Sequence, residues 1–473
     1  MPSAHLPELS LRELPEKLGS FWKLAGPGAI LVGLSIGAGE LAIWPRIVAQ
    51  YGASMVWAAV FGLIVQVWIN FEVGRWTLAT GESIYTGFCR VWKGFAPIFI
   101  LLNVLGWLAP GWGRASGLAL KALLVGPSGY GSDTFWTCVT FGLVALLLFG
   151  PKAAYKSVEL TIEGLVIIIT VGLLVVAFTV GSAQDWKDLG HGIINIPHRE
   201  PGFLVKDLFI ALVFAGAGGT ANLFYSFYVR DKGLGMGVHV PQLQNPLRGE
   251  TERVPSTGFR FEDTEDNRRK FRDWFRHIVK DQVLFFWGLN TFTILLFIYG
   301  ALAVLHRQGI VPEPGRLVYD QAVILSDLMG PAGRYLFLMV GVATLFSTQV
   351  TLVDGVSRSI SDIIYVNYPK ARGKSLGWWY MLIAAAWMVA GCGITAVMEH
   401  NGVSELGFLF NAAYMGGFAM AIYSPLLLFI NLRYLPRSAR PGPLNIVCMC
   451  GACLLYGGFA IACIYWEITS RMG

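Results

Sequence analysis

Ser35-Ile36-Gly37-Ala38-Gly39-Glu40 lies in the middle of the first long apolar run of this 473-residue chain. Two glycines weaken a helix there, and Glu40 puts a carboxyl group near the middle of what reads as a membrane span. Ionisable groups inside a membrane are costly and mark function. A near copy, Ala215-Gly216-Ala217-Gly218-Gly219-Thr220, interrupts a second apolar run. A pair of glycine-interrupted spans in corresponding halves points to the binding site of a secondary transporter. The competing explanation is tight helix packing, because small residues also line helix contacts in membranes.

The surrounding composition sets the class. Hydrophobic residues make up 55% of the chain and charged residues 14%, against about a quarter charged in soluble proteins. Mean hydropathy is +0.56. These values indicate an all-α polytopic membrane protein; with the paired glycine interruptions the chain reads as a transporter, not an enzyme. Residues 1–21 are polar and lack the apolar core of a cleavable signal. The net charge of +6 needs no nucleic-acid partner, since loop cations set membrane orientation. Cys448, Cys450 and Cys453 share one span without a histidine cluster, and read as small buried residues rather than metal ligands. No phosphate-binding G-x-x-x-x-G-K-[ST] loop is present, which argues against an ATP-driven pump.

With ~20 apolar residues per crossing, eleven spans are expected: 22–50, 54–79, 95–124, 134–150, 158–182, 204–228, 282–305, 333–364, 378–398, 403–433 and 444–466. Lysines and arginines alternate between loops so that the amino terminus is predicted cytoplasmic and the carboxyl terminus outside. Residues 22–182 and 204–433 read as two five-helix repeats joined by an outer loop, 183–203, with 444–466 as an extra helix. An odd number of spans per repeat inverts the second against the first. The expected plan is the LeuT-type 5+5 inverted repeat with broken helices 1 and 6 meeting near the midplane. Residues 229–281 form the one sizeable polar insertion, with a basic amphipathic stretch at 268–276. It reads as a solvated positive loop with an interfacial helix, or as a contact with anionic lipid.

Several polar residues fall within apolar spans. Glu40 and Asn222 follow the two breaks, and Arg46 lies farther along span 1. Arg114 sits in span 3, Glu159 and Glu163 in span 5, and Glu405 and Asn411 in span 10. Asp354, Arg358 and Asp362 share one face of span 8, where they form either a structural ion-pair ladder or a coupling route.

Short motifs spread along these spans resemble the Nramp family of proton-coupled divalent-metal transporters. They are Gly26-Pro27-Gly28, Gln50-Tyr51-Gly52, Thr80-Gly81-Glu82, Asn222-Leu223-Phe224-Tyr225, Ser347-Thr348 and Pro425-Leu426-Leu427-Leu428-Phe429. The resemblance implies alternating access, with spans 1, 2, 6 and 7 rocking against spans 3, 4, 8 and 9. It also implies metal ligands at an Asp-Pro-Gly-Asn run and a Met-Pro-His run. Here those positions read Gly37-Ala38-Gly39-Glu40 and Gly219-Thr220-Ala221. The family's aspartate, thioether and histidine are therefore absent.

Two substrate readings stand. In the first, Glu40, Asn222 and carbonyls near Gly37 and Ala217 form an all-oxygen site for a hard ion such as magnesium. In the second, Ile36-Gly37-Ala38-Gly39 resembles the glycine motif of amino-acid permeases. That resemblance implies that the amides of Gly37, Ala38 and Gly39 hold the carboxylate of an amino acid or small organic acid, with Arg114 as a bidentate partner and Glu40 facing an amino group. Gly218 and Gly219 complete the expected substrate-binding set. Proton coupling is assigned to Glu40 or to Asp354 and Arg358. No cofactor other than a transported cation is expected. The other expectations are lipid contact, a plasma or inner membrane location, and a monomer or weak oligomer.

Overall fold

The computed structural model describes residues 6–17, 19–151, 154–246 and 254–472. Its elements are almost all helical. They are α1 (Pro27–Ser35), a π-helical stretch Ile36–Ile43, α2 (Trp44–Tyr51), α3 (Val56–Thr80), α4 (Ile84–Val91), α5 (Phe95–Trp107), α6 (Gly111–Leu124), α7 (Asp133–Phe149), α8 (Ala154–Thr179) and α9 (Ala183–Ile194). Then follow α10 (Val205–Val213), α11 (Tyr225–Asp231), α12 (Glu265–Asp281), α13 (Asn290–Gly300), α14 (Leu317–Gln321), α15 (Val323–Asn367), α16 (Leu376–His400), α17 (Glu405–Tyr434) and α18 (Pro443–Met472), and two further π-helical stretches, Gln282–Leu289 and Ala301–His306, flank α13. One short parallel pairing joins β1 (Ser10–Leu11) to β2 (Phe259–Arg260).

Local chemistry explains many of the helix ends. Ser83, Ser132, Thr264 and Ser375 each accept an amide of the first turn through the side-chain oxygen, relieving donors that the helix itself leaves free. Gly81, at φ 68°, ends α3 in a left-handed conformation that a side chain disfavours. α15 changes direction at Gly330-Pro331, where Gly330 takes φ 59°.

Among the described residues, eight helical stretches are long and apolar enough to cross a membrane. The expected eleven is a larger number for three local reasons. Pro27–Thr80 runs together the residues of two expected spans, Asp133–Phe149 is too short to qualify, and the sixth expected span is split into two short pieces.

The helices pack in two groups. α15 lies against α6, α8 and α16, and α7 closes that group against α6 and α16. α3, α10, α11, α13 and the π-helical stretch Ile36–Ile43 form the second group. α15 also packs on α1 and on the π-helical stretch, which puts helix 1 at the boundary between the groups.

Candidate functional site

The two interruptions expected from the sequence differ in the structure. The sixth span is broken: α10 ends at Val213, Gly218 and Gly219 take φ of 65° and 54°, and a 3-10 turn Gly219–Phe224 leads into α11. The first span is not unwound. Ile36–Ile43 continues as a π-helix, in which the Trp44 amide donates to the Gly39 carbonyl five residues back. The physical reason is that Gly37-Ala38-Gly39-Glu40 contains no proline, so every residue keeps an N–H to continue the ladder. A wide turn of this kind is uncommon and concentrates at functional sites.

The glycines of the first stretch serve close approach. A Cβ on Gly37 would lie 1.8 Å from the Thr348 hydroxyl, and one on Gly39 would lie 1.7 Å from the Phe214 carbonyl oxygen. Helix 1 is thereby pressed between α15 and the break of span 6. Carbonyls flanking the widened turn are taken by side chains. Ser347 donates to Gly33 at 2.7 Å, Thr348 to Leu34 at 2.9 Å and Gln321 to Leu41 at 2.8 Å. Ala38 belongs to the same turn, but its side chain lies outside the described residues.

Glu40 is wholly buried, and neither carboxylate oxygen has a hydrogen-bond partner among the described residues. It faces α13, where the Thr293 hydroxyl lies near it. That hydroxyl is already committed to the carbonyls of Leu289 and Asn290, both at 3.1 Å. Next along this interface, Ser35 donates to the Asn290 side-chain oxygen at 2.6 Å.

At the second break the polar groups are paired within the protein. The Gln66 amide group of α3 donates to the carbonyls of Leu212 and Val213, at 3.2 and 2.9 Å. Its oxygen accepts from the Gly218 amide at 3.0 Å and from Asn222 at 3.2 Å. The Tyr423 hydroxyl donates to Gly219 at 2.9 Å. Thr220 donates to Asn103 at 3.0 Å and accepts the Trp107 indole N–H at 2.9 Å. Ala217 is buried in the same turn, and the Asn222 side-chain oxygen is left without a partner. Gln66, Asn103, Thr220 and Tyr423 were not singled out from sequence. Their only signal is an uncharged polar group inside an apolar run.

The remaining expected residues separate into distinct places. Asn222 is held by Gln66 and Tyr423, whereas Glu40 faces Thr293, so the side-chain partners of the two do not overlap. Arg114 is not brought to the breaks. It pairs with Asp133 at 2.8 Å and donates to the Val403 carbonyl, because it sits in the first turn of α6 at the end of the bundle. Arg46 donates to the Pro312 carbonyl, and Glu405 accepts the Gly315 amide. Asn411 is exposed on α17 rather than facing the interior. Glu159 pairs with Lys232 at 2.6 Å beside the start of α1, while Glu163 lines an apolar groove with Trp22.

Asp354, Arg358 and Asp362 do lie in one buried network. Arg358 grips both oxygens of Asp354 at 2.9 and 2.8 Å and also pairs with Asp231 of α11. Arg230 pairs with Asp362 at 2.8 Å, and Asp362 further accepts from Ser83 and, at 3.3 Å, from Thr86. Tyr380 of α16 donates to Asp354 at 2.7 Å. Three carboxylates and two guanidiniums therefore join α4, α11, α15 and α16.

Structures of known proteins align with this arrangement over nearly the whole chain. A manganese transporter of Eremococcus coleocola superposes with a TM-score of 0.70 at 15% identity, covering 98% of this chain and 91% of that one. MhsT, in complex with L-phenylalanine, gives 0.58 at 12% identity over 95% and 98%. Mhp1, a nucleobase-cation-symport-1 family transporter, gives 0.54 at 12% over 98% and 96%.

The fold is the LeuT-type transporter fold.

Sequence comparison finds no matching family model and no matching curated protein. At 12–15% identity the similarity establishes architecture, and the LeuT-type plan explains why spans 1 and 6 meet at the boundary between the two helix groups. It also locates this chain's main departure from that plan, a helix 1 that widens where an interruption was expected.

Proposed function

We propose that this protein is a secondary transporter that moves a divalent metal cation across the membrane by alternating access, with Glu40 as the charged group of the transport site. One observation carries the reading: a fully buried carboxylate, at a π-turn of helix 1, with no counter-charge and only the Thr293 hydroxyl beside it among the described residues. Burying an ionised carboxylate without a counter-charge is very costly. A site built this way retains positive charge, as a metal ion or as the coupling proton.

The surroundings of Glu40 favour a hard ion such as magnesium. The group beside it is the Thr293 hydroxyl, a neutral oxygen, and no cluster of three or more His, Cys, Asp or Glu occurs among the described residues. A single carboxylate with neutral oxygen donors suits a partly hydrated ion better than a soft transition metal. In this reading Asn222, with its free side-chain oxygen, and the carbonyls near Gly37 and Ala217 join the site as the two helix groups move. The neighbouring manganese transporter fits the same substrate class. The organic-solute reading is disfavoured because the π-helix keeps its hydrogen bonding across Gly37–Gly39, and Gln66 already occupies the Gly218 amide. Proton coupling through Glu40, with the Asp354–Arg358 network as the element that changes partners, completes the scheme. Eleven crossings put the amino terminus in the cytoplasm and the carboxyl terminus outside, in a plasma or inner membrane.

Uptake by the purified protein in liposomes tests this. Magnesium, manganese, calcium and a panel of amino acids are offered to wild type and Glu40→Gln, with and without a pH gradient. The expected result is uptake of a divalent ion that Glu40→Gln abolishes. Uptake of an amino acid alone, or undiminished metal uptake by Glu40→Gln, would overturn the assignment.

A further inference from the structure

The polar segment before helix 1 is strapped across one end of the molecule. β1 pairs with β2, Trp274 of α12 donates to the Pro15 carbonyl at 2.9 Å, and Lys270 pairs with Glu13 at 3.2 Å. Leu14 is buried beneath the strap. The chain then passes through a short turn, Phe21–Leu24, into α1.

Between this strap and α12 lies a cavity of about 420 Å³. Five cations line it, Lys17, Arg269, Lys270, Arg276 and Lys280, against two carboxylates, Glu16 and Asp273. Both carboxylates are engaged, Glu16 with Arg269 at 3.5 Å and Asp273 with Arg276 at 3.4 Å. Lys270 is taken up by Asp266 and Glu13. Lys17 and Lys280 have no carboxylate partner among the described residues. His277 also lines the cavity; it is 2% exposed, and its Nε2 donates to the Leu24 carbonyl at 3.3 Å. The cavity therefore presents net positive charge, the feature of an anion site.

An apolar groove of about 680 Å³ adjoins it and shares Phe21 and Lys280. Its walls include Trp22, Val283, Leu284 and Phe292, which are 72%, 40%, 45% and 41% exposed. A basic pocket that opens directly onto an outward-facing apolar groove has the two-part chemistry of a phospholipid. A free phosphate would use the pocket and leave the groove unused. We propose that this pocket and groove bind one anionic phospholipid, with its headgroup phosphate between Lys17 and Lys280 and an acyl chain along Val283, Leu284 and Phe292. The lipid fastens the entry of helix 1 to the seventh span, which begins at residue 282. Phe21 already stacks on Phe285 there, with ring centroids 6.4 Å apart, and Asp281 abuts Gly28 at the start of α1. The inference does not depend on which substrate Glu40 serves.

Native mass spectrometry of the full-length protein tests it. Delipidated protein receives equal amounts of phosphatidylglycerol and phosphatidylcholine with the same chains, or inorganic phosphate, or glycerol 3-phosphate. Wild type should retain the anionic lipid at least tenfold over the neutral one. Lys17→Gln/Lys280→Gln, which alters only unpaired cations, should bring that ratio near one, while Lys93→Gln leaves it unchanged. Leu284→Asp should lower lipid retention without altering the response to glycerol 3-phosphate. Equal retention of both lipids by wild type, an unchanged ratio in the double variant, or displacement of the lipid by an equimolar amount of either soluble phosphate would overturn the proposal.

Discussion

The Gln66 side-chain oxygen accepts the Gly218 amide at 3.0 Å, joining positions 152 residues apart. The same side chain donates to Leu212 and Val213. One glutamine on α3 thus satisfies backbone groups that the break in span 6 releases. A membrane interior supplies no water to do this. Gln66→Leu keeps the size and removes the pairing. Each orphaned buried group costs about 1–3 kcal/mol, so the variant should unfold at a clearly lower temperature in detergent. An unchanged melting temperature would show that the break finds other partners.

Arg358 holds Asp354 and Asp231 together at full burial. Removing one member of a buried pair leaves uncompensated charge and costs about 3–5 kcal/mol. Arg358→Gln should lower both the yield of folded protein and its melting temperature. Arg358→Lys keeps the charge but loses the fork that holds Asp354 through Nε and Asp231 through Nη1 at once, and should fall between Gln and wild type in the same melts.

Gly39 faces the Phe214 carbonyl oxygen, which is backbone and has little room to move. Gly39→Ala should separate helix 1 from the span 6 break at a cost of about 1–3 kcal/mol or more. Gly407 on α17 has nothing within 4 Å of where a Cβ would lie. Gly407→Ala should be neutral, or stabilising by about 0.5–1 kcal/mol. Thermal melts of the two variants side by side check the contrast.

The strap makes a separate prediction. Leu14 is 1% exposed and anchors residues 6–17 against the insertion. Leu14→Asp should release the strap, and brief trypsin treatment should then cut after Arg12 or Lys17 several-fold faster than in wild type. Equal cleavage rates would mean that the pairing of β1 with β2 holds the strap without Leu14.

Much of the architecture was legible in apolar run lengths, because a bilayer imposes a minimum length on any crossing helix. The break in span 6 was legible too, since Gly218 and Gly219 adopt backbone angles that other residues disfavour. The break expected in span 1 was not observed. Glycine permits unwinding but does not require it, and at Gly37 and Gly39 the missing side chains make room for Thr348 and Phe214. Arg114 was misplaced for a similar reason. Its position in the chain says that it is buried, while only packing reveals that Asp133 and Val403 claim it.

The sequence by itself determined the helical membrane class, the break in span 6 and the improbable carboxylate at position 40. These follow from composition and from local backbone preference, which neighbouring residues in the chain decide. Only the tertiary structure decided that helix 1 widens instead of breaking, that Gln66 satisfies the open turn of span 6, and that Glu40 has no counter-charge among the described residues while an arginine pairs with each of Asp354 and Asp362. Whether a buried polar group is paired depends on residues tens to hundreds of positions away, and no local pattern records which of them will arrive.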